Sequence, residues 1–417
     1  MPSNGEDNAA ARGLLDEVAR RSYGKLIAFL AVRTRNVAAA EDALSEAFAS
    51  ALAHWQKTGC PSNPEAWLLS VARRKSIDSA RERYSRDRSD EDVREIAALV
   101  EAPPVEADIP DRRLALMFTC AHPAIDVAVR APLMLQAVLG LDAARIASAF
   151  LTSPEAMGKR LVRAKNKIRE AGISFRIPER AELQDRLDAV LDAIYAAFTE
   201  GWADPSGTDA FRRDLTEEAI FLARVVTELL PQEPEPLGLL ALMLHSEARR
   251  RARRDTNGAY VPLADQDAAL WEQRMIDEAE ELLRRACAMG NAGRYQLEGA
   301  LQSAHVARCR TSDANWADIV RIYDALFEKT GSPVVAMNRA LAIAEVDGAE
   351  AALAAMPDLA VDPRLAEYQP YWAARARLLT GAHQWEEARQ AYEIAIGLER
   401  DDSIRCFLWQ QQQKLPM

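Results

Sequence analysis

The chain has 417 residues, 49% of them hydrophobic and 28% charged, and a formal net charge of −11. This length allows two or three domains, each with a sizeable core. The first residues, MPSNGEDNAAARGLLDE, contain no basic and then apolar run, so no signal peptide is expected. No run of about eighteen apolar residues predicts a membrane span. Composition therefore excludes a membrane protein and predicts a cytoplasmic one.

The cysteines are few and scattered. No CxxC pair occurs, and no Cys and His stand at the spacing of a zinc site. We therefore expect no disulfide framework, no metal and no cofactor. The five cysteines are Cys60, Cys120, Cys287, Cys309 and Cys406.

The negative charge belongs to the C-terminal half of the chain. Residues 1–180 contain 27 Lys and Arg against 24 Asp and Glu, a balance of +3, and the remainder contains 25 against 39, a balance of −14. Only the N-terminal half is suited to polyanions. Proline and glycine are rare inside the long segments and apolar residues recur at helical spacing, so the sequence predicts an all-α protein.

Residues 1–88 form the first predicted module. The apolar spacing predicts helices near Leu14 to Arg33, Ala38 to Trp55 and Pro64 to Tyr84, with a loop over Gln56 to Glu65. The second helix carries the acids Glu41, Asp42 and Glu46. The stretch from Arg73 to Arg88, which begins in the third helix and continues past its end, contains seven bases against three acids. This pattern suits phosphate contacts, and the bases include Arg73, Arg74, Lys75 and Arg81.

Residues 89–111 have the composition of a linker. The stretch from Asp90 to Asp111 contains eight acids, one Arg and three prolines. Such a segment is extended and repels itself.

Residues 112–176 form the second predicted module, which ends in a basic helix. Ser153 is a suitable N-cap and Pro154 suits the first helical position. The preceding stretch, GLDAARIASAF, predicts a short helix capped by Asp142, so the two helices make a helix-turn-helix. The outward side of the second helix then offers Lys159, Arg160, Arg163 and Lys167 to DNA.

Residues 177–417 show an internal repeat. Trp316, Ile319, Tyr323 and Leu326 recur 69 residues later as Trp385, Ala388, Tyr392 and Ala395. That interval is about twice the 34-residue period of tetratricopeptide repeats. A generic Ala-rich helical bundle remains the alternative.

Two further segments of this half have open interpretations. The basic run EARRRARRD is interpreted as a solvated helix end or as an intramolecular contact, for which the acidic linker is one candidate partner. YVPLADQDAALW interrupts the helical pattern, and it either lines a regulatory pocket or braces the repeats. The candidate pocket residues are Asp265, Gln266, Asp267 and Trp271.

In this order, the N-terminal segments resemble a bacterial RNA polymerase sigma factor of the extracytoplasmic-function group. The core-binding motif of that group matches Ala40, Glu41, Asp42, Leu44, Glu46 and Phe48. Its promoter-melting motif matches Trp67, Leu68, Ala72, Arg73, Ile77, Asp78 and Arg81, and KRLVRAKNKIREAG matches its recognition helix. Arg74 and Arg145 depart from the residues usual at their positions.

The resemblance extends to the subgroup with a long C-terminal tetratricopeptide-like extension, and covers about Leu14 to Gln412. FTCAHPA, Phe118 to Ala124, is a hallmark of that subgroup. Cys120 and His122 within it suggest zinc, but without a second ligand pair a buried structural role is favoured.

The resemblance implies a non-enzymatic role in transcription initiation. The first module would bind the coiled coil of the largest polymerase subunit and the minus-ten element, and the second would bind the minus-thirty-five element. The linker would thread the polymerase cleft as a mimic of nucleic acid, or act as a solvated spacer. The C-terminal domain would regulate activity through an intramolecular contact, a ligand or a regulatory protein.

Two alternatives remain open. One is a helix-turn-helix regulator with a tetratricopeptide signal-binding half that does not act as a sigma factor. The other is a helical enzyme with a DNA-binding appendage, which is disfavoured because no acid, base or nucleophile cluster is visible.

Overall fold

The computed structural model describes residues 4–34, 37–84, 109–150, 152–170, 177–202, 210–311 and 315–416. These residues form α-helices joined by turns and short 3-10 segments, and no strand occurs among them. The all-α prediction is confirmed. None of the described helices is long and apolar enough to cross a membrane. The helices divide into two compact units, which meet along the chain at Leu229 and Leu230.

Unit 1 contains nine described helices, which we number in chain order. They are α1 (Asn4–Thr34), α2 (Val37–Thr58), α3 (Pro64–Tyr84), α4 (Arg112–Cys120), α5 (Val127–Ala137), α6 (Ala143–Ala149), α7 (Pro154–Glu170), α8 (Gln184–Trp202) and α9 (Ala210–Leu229).

Helices α1, α2 and α3 pack on one another and form the first part of unit 1. The apolar stripe of α2 faces inward, from Ala40 through Leu44 and Ala51 to Trp55. The Trp55 ring meets the Trp67 ring of α3 edge to face, with the ring centroids 5.4 Å apart. The predicted second helix is confirmed but runs three residues further, so the turn before α3 begins at Gly59.

Helices α6 and α7 begin where the sequence predicts. The Asp142 carboxylate accepts the backbone N–H of Arg145, which caps α6, and the Ser153 hydroxyl accepts that of Ala156 at 3.2 Å, which caps α7. Only residues 150–153 separate the two helices, and the helices pack against each other. Ile146 of α6 and Leu161 of α7 are buried.

The first helices after residue 177 pack on the second module rather than apart from it. The Arg186 side chain of α8 is 2% exposed and donates to the carbonyl oxygen of Phe118 in α4 at 3.1 Å. Arg113 of α4 pairs with Asp111 at 3.0 Å and also with Glu218 of α9. The compact unit thus extends to Leu229, beyond the boundary at 176 that the sequence suggested, and the four-domain division stays a prediction.

Unit 2 contains α10 (Pro234–Ala248), α11 (Gln273–Ala288), α12 (Arg294–Thr311), α13 (Trp316–Thr330), α14 (Pro333–Asp347), α15 (Ala349–Ala355), α16 (Gln369–Gly381), α17 (Trp385–Leu398) and α18 (Asp402–Gln413). Most neighbours in sequence are also neighbours in space, because α13 packs on α14, α14 on α15, α16 on α17 and α17 on α18.

The two copies of the sequence repeat occupy equivalent helical positions. Trp316 is the first residue of α13 and Trp385 the first of α17. Ile319 and Leu326 are buried in the first copy, and Ala388 and Ala395 in the second. The recurrence therefore reflects a repeated inward face, while its assignment to the tetratricopeptide class stays a prediction.

Helices α10, α11 and α12 are joined by partly buried polar contacts. The Glu280 carboxylate of α11 accepts a hydrogen bond from the Ser303 hydroxyl of α12 at 2.6 Å and lies 3.3 Å from Nε2 of His245 in α10. The contact with His245, assisted by Ser303, lowers the pKa of Glu280. The Glu235 carboxylate of α10 accepts the backbone N–H of Tyr295 at 2.9 Å, so α10 caps the start of α12.

Gly238 allows α10 to approach α12 closely. A Cβ atom at this position would lie 2.5 Å from the backbone nitrogen of Gln296, which cannot move aside as a flexible side chain could. We expect Gly238→Ala to destabilise unit 2 by about 2 kcal/mol or more. Gly397→Ala is the matched control, because this helical glycine has open space around it and alanine should stabilise the helix by up to about 1 kcal/mol. Urea unfolding of both variants measures the difference, and equal stabilities would contradict the close packing.

Candidate nucleic-acid interface

The outward side of α7 is a row of cations. Arg160, Arg163 and Lys167 are exposed, while Met157 and Leu161 on the opposite side are buried. Lys159 is exposed as well, but its ammonium pairs with the Glu155 carboxylate one turn earlier at 2.6 Å. The structure therefore brings three of the four predicted cations of this helix together, and none of the three has an ion-pair partner among the described residues.

These three cations line a groove of about 200 Å³ between α7 and the turn before α5. Arg130, which the sequence analysis did not single out, supports that turn: its Nε donates to the Ile125 carbonyl and its Nη2 to the Pro123 carbonyl, each at 2.9 Å. In the sequence, Arg130 is distinguished only as an arginine within an apolar helix. The fold is needed to show that its side chain reaches back to the turn. The groove offers three positive side chains against one carboxylate, that of Asp126, and this excess of positive charge suits a phosphate.

Lys165 lies on a different side of α7 from these cations. Its ammonium is 2.6 Å from the Glu41 carboxylate of α2, and the two side chains are 23% and 16% exposed. This ion pair joins the basic helix to the helix predicted to bind polymerase. The pair lies near Cys120, whose thiol pKa is raised to about 12 by burial and by the Glu41 charge.

The other predicted polymerase-binding residues of α2 differ in accessibility. Asp42 is exposed and Phe48 is half-buried. Glu46 pairs with Lys75 of α3 at 3.1 Å, and both side chains remain open to solvent. Leu44 is fully buried, so the prediction that it belongs to a contact surface is corrected: it packs in the core and supports the surface from behind.

The predicted bases of α3 also have distinct surroundings. The Arg73 guanidinium lies 4.9 Å from the Phe29 ring centroid, and Arg112 lies 5.0 Å from the same ring. Arg73 and Arg74 line a groove of about 390 Å³ between α1 and α3. Arg74 is exposed. Arg81 is within α3, but its side chain is outside the described residues, as is most of the acidic linker.

The candidate regulatory residues of unit 2 make separate local contacts. Trp271 is 7% exposed and packs in a core cluster with Ala248 and Ala252. The Gln266 amide donates to the Val261 carbonyl at 3.3 Å, and Asp267 caps a 3-10 turn. Asp265 is exposed. These contacts favour the bracing interpretation, while a pocket formed by the four residues stays a prediction.

The chain is similar over most of its length to one known protein. An uncharacterized protein of Rhizobium meliloti (strain 1021) is 39% identical over 387 residues, which is 90% of this chain and 90% of that protein. The chain belongs to the family of this protein. No solved structure matches it.

Two segments match known protein families. Residues 18–86 match sigma-70 region 2, and this N-terminal domain supports a sigma-70 family factor. Such a region implies binding of core RNA polymerase and promoter DNA and a role in transcription initiation, and sigma factors are in general not enzymes. Residues 186–287 match a family of unknown function, DUF6596, which runs from α8 in unit 1 to α11 in unit 2.

The Glu41–Lys165 ion pair should contribute measurably to the stability of the sigma factor. Because both side chains are mostly buried, a double-mutant cycle with Glu41→Gln and Lys165→Gln should give a coupling of about 1 kcal/mol in urea unfolding. The matched control is Glu46→Gln with Lys75→Gln, whose solvent-exposed pair should couple by less than about 0.5 kcal/mol. Equal couplings would show that the Glu41–Lys165 pair is no more than a surface contact.

Proposed function

We propose that the chain is an alternative sigma factor of the extracytoplasmic-function group that directs core RNA polymerase to its own promoters. In this proposal residues 1–88 bind the largest-subunit coiled coil and the minus-ten element, and residues 112–176 bind the minus-thirty-five element. Residues 177–417 form a tetratricopeptide-like regulatory domain. The observation that carries the proposal is the row of exposed cations on α7 in a chain that also contains a match to sigma-70 region 2.

The arrangement of α6 and α7 supports the minus-thirty-five role. In a helix-turn-helix the second helix enters the major groove and its flanks contact phosphates. Helix α7 follows α6 after a short turn, its apolar side is buried against unit 1, and Arg160, Arg163 and Lys167 point outward. These side chains suit both kinds of contact, since guanidinium groups bind guanine edges and phosphates.

The turn before α3 supports the minus-ten role. Residues 59–63 are exposed or half-buried, and the Asn63 side chain caps α3 by accepting the backbone N–H of Ala66 at 3.0 Å. Melting a promoter requires a base to leave the stack, at a cost of a few kcal/mol. A firmly capped turn beside the bases Arg73 and Arg74 can hold such a base and the neighbouring phosphates.

Promoter binding requires unit 1 to open. The minus-ten and minus-thirty-five elements are about 25 base pairs apart, or roughly 85 Å along B-DNA. A compact body of about 220 residues has a radius of gyration of only about 17 Å. The two modules cannot reach both elements while Lys165 of α7 remains bonded to Glu41 of α2. We infer that polymerase and DNA compete with this ion pair, because Glu41 belongs to the proposed polymerase surface.

The contacts of α8 and α9 support a regulatory role for residues 177–417, because these two helices pack against the module formed by residues 112–176. Arg186 of α8 and Glu218 of α9 contact α4, so a change in this half can reach the DNA-binding module through direct contacts. The acidic linker is the proposed nucleic-acid mimic in the polymerase cleft, with a solvated spacer as the alternative. A polymerase partner implies a cytoplasmic location.

Loss of a single cation on α7 should weaken DNA binding selectively. We expect Arg163→Ala and Lys167→Ala each to cost about 1–3 kcal/mol of promoter binding and to reduce the dependence of affinity on salt, while affinity for core polymerase is unchanged. Arg285→Ala is the control with the same charge change, on the exposed side of α11 in unit 2. Fluorescence anisotropy with promoter DNA and with core polymerase measures both affinities. Equal losses of both in a folded variant would contradict the division of roles.

Run-off transcription tests the proposed function directly. Core polymerase, genomic DNA from the source organism and the full chain as the only added factor should give discrete start sites that share upstream elements. Lys165→Ala should raise the yield from these sites if the ion pair with Glu41 restrains opening. A chain that binds DNA but not core polymerase, and gives no start sites, would instead be a helix-turn-helix regulator outside sigma function.

A further inference from the structure

The basic run at the end of α10 is only partly solvated, which corrects the first interpretation of this segment. Arg251 is exposed, but Arg250 pairs with Glu247 and Arg254 pairs with Asp401 at 2.6 Å. Arg249 is 7% exposed. One arginine of the run is therefore held inside unit 2 rather than in solvent.

The hydrogen bonds of Arg249 go to neutral acceptors. Its Nε donates to the carbonyl oxygen of His245 at 3.1 Å, and its Nη2 to the Gln302 side-chain oxygen at 2.6 Å. No carboxylate pairs with it in the part of the chain that the structure describes. Burial lowers the pKa of Arg249 to about 10, an effect that the nearby Cys309 and Tyr260 only partly offset. A buried cation is costly unless an anion compensates it.

Helix α12 places a second cation, the half-buried Arg308, near the same cluster. The Arg308 guanidinium lies 4.6 Å from the Trp316 ring centroid, and its Nε is buried without a hydrogen-bond partner. Nδ1 of His305, one turn earlier, is also buried without a partner. Burial and the charges of Arg308 and Arg249 lower the pKa of His305 to about 4, so its ring is neutral at pH 7.

The acids around this cluster are already engaged. Glu280 accepts the Ser303 hydroxyl and lies against His245. Asp401 pairs with Arg254 and also accepts the backbone N–H of Ser403 at 2.9 Å, which caps α18. Among the described residues, neither Arg249 nor Arg308 has a carboxylate partner, so the cluster keeps an excess of positive charge.

We propose that Arg249, Arg308, Tyr260 and Gln302 form a binding site in unit 2 for a small oxyanion, presented by a phosphate or a carboxylate group. Guanidinium groups offer parallel N–H donors that match such groups, and charge-assisted hydrogen bonds are stronger away from water. The Tyr260 phenol, protonated because burial raises its pKa, adds a further donor. A bound anion would supply the negative charge that the buried Arg249 and the half-buried Arg308 lack.

The position of the site gives it a route to the rest of unit 2. The segment that carries Arg254 and Tyr260 also contacts the last helix, through the Arg254–Asp401 pair and through Tyr260, whose ring meets Phe407 edge to face at 5.4 Å. An anion bound beside Tyr260 would therefore change the electrostatic potential at the contact between the first and the last helices of unit 2. Binding itself does not depend on sigma activity, so this proposal and the proposed function can fail separately.

Equilibrium dialysis of the full chain with radiolabelled phosphate, and separately with malonate, tests the site at constant ionic strength. We expect saturable binding of at least one probe at one site per chain. Arg308→Gln and Arg249→Lys should weaken it by about tenfold or more, since each removes a charge-assisted or bidentate contact. Binding of phosphate alone would identify a phosphorylated ligand, binding of malonate alone a carboxylate, and both outcomes support the site.

Arg251→Gln is the matched control, because it removes a cation from the same run at an exposed position. It should leave the affinity within about twofold. Circular dichroism checks that each variant is folded, and Arg308→Gln decides the matter if Arg249→Lys does not fold. Absence of saturable binding of both probes would overturn the proposal, as would an equal loss in Arg251→Gln and Arg308→Gln, since that would indicate diffuse electrostatic attraction.

Discussion

The close approach of α1 to the end of α5 is the constraint on which unit 1 depends. A Cβ atom on Gly24 would lie 2.1 Å from the carbonyl oxygen of Val138, so only glycine permits this contact. Nearby, α1 also packs on α4, and this brings α2 within reach of α7. The Glu41–Lys165 ion pair can form only because the backbones already lie this close, and the same packing that stabilises the free chain hides part of a functional surface.

The sequence allowed the local structure to be predicted well because local signals determine it. Ser153 and Asp142 cap the helices where expected, and the inward stripe of α2 follows from helical spacing alone. Contacts between distant segments were not predictable in this way. Lys165 stands among equivalent cations in the sequence, and nothing in its spacing distinguishes the one that turns toward Glu41, 124 residues away.

The same reasoning explains the missed feature of unit 2. A run of arginines is solvated in most proteins, and composition gave no reason to treat Arg249 differently from Arg251. Arg249 is buried because it directly follows α10, which is buried along its length and packs against both α11 and α12. A polar group buried in this way must be compensated, and here only neutral acceptors are within reach among the described residues.

Placement rather than total charge explains how an acidic chain can bind DNA. Electrostatic interactions between exposed charges are screened beyond about 8 Å at physiological ionic strength, so the potential at α7 depends mainly on the charges close to it. What matters is that the groove-lining cations Arg160, Arg163 and Lys167 form no ion pair among the described residues, whereas Lys159 pairs with Glu155. Glu41 engages Lys165 on another side of α7. The Asp126 carboxylate caps α5 and lines the groove, so the groove has three cations against one acid. A net charge of −11 is therefore compatible with a cationic surface for DNA on the outward side of α7.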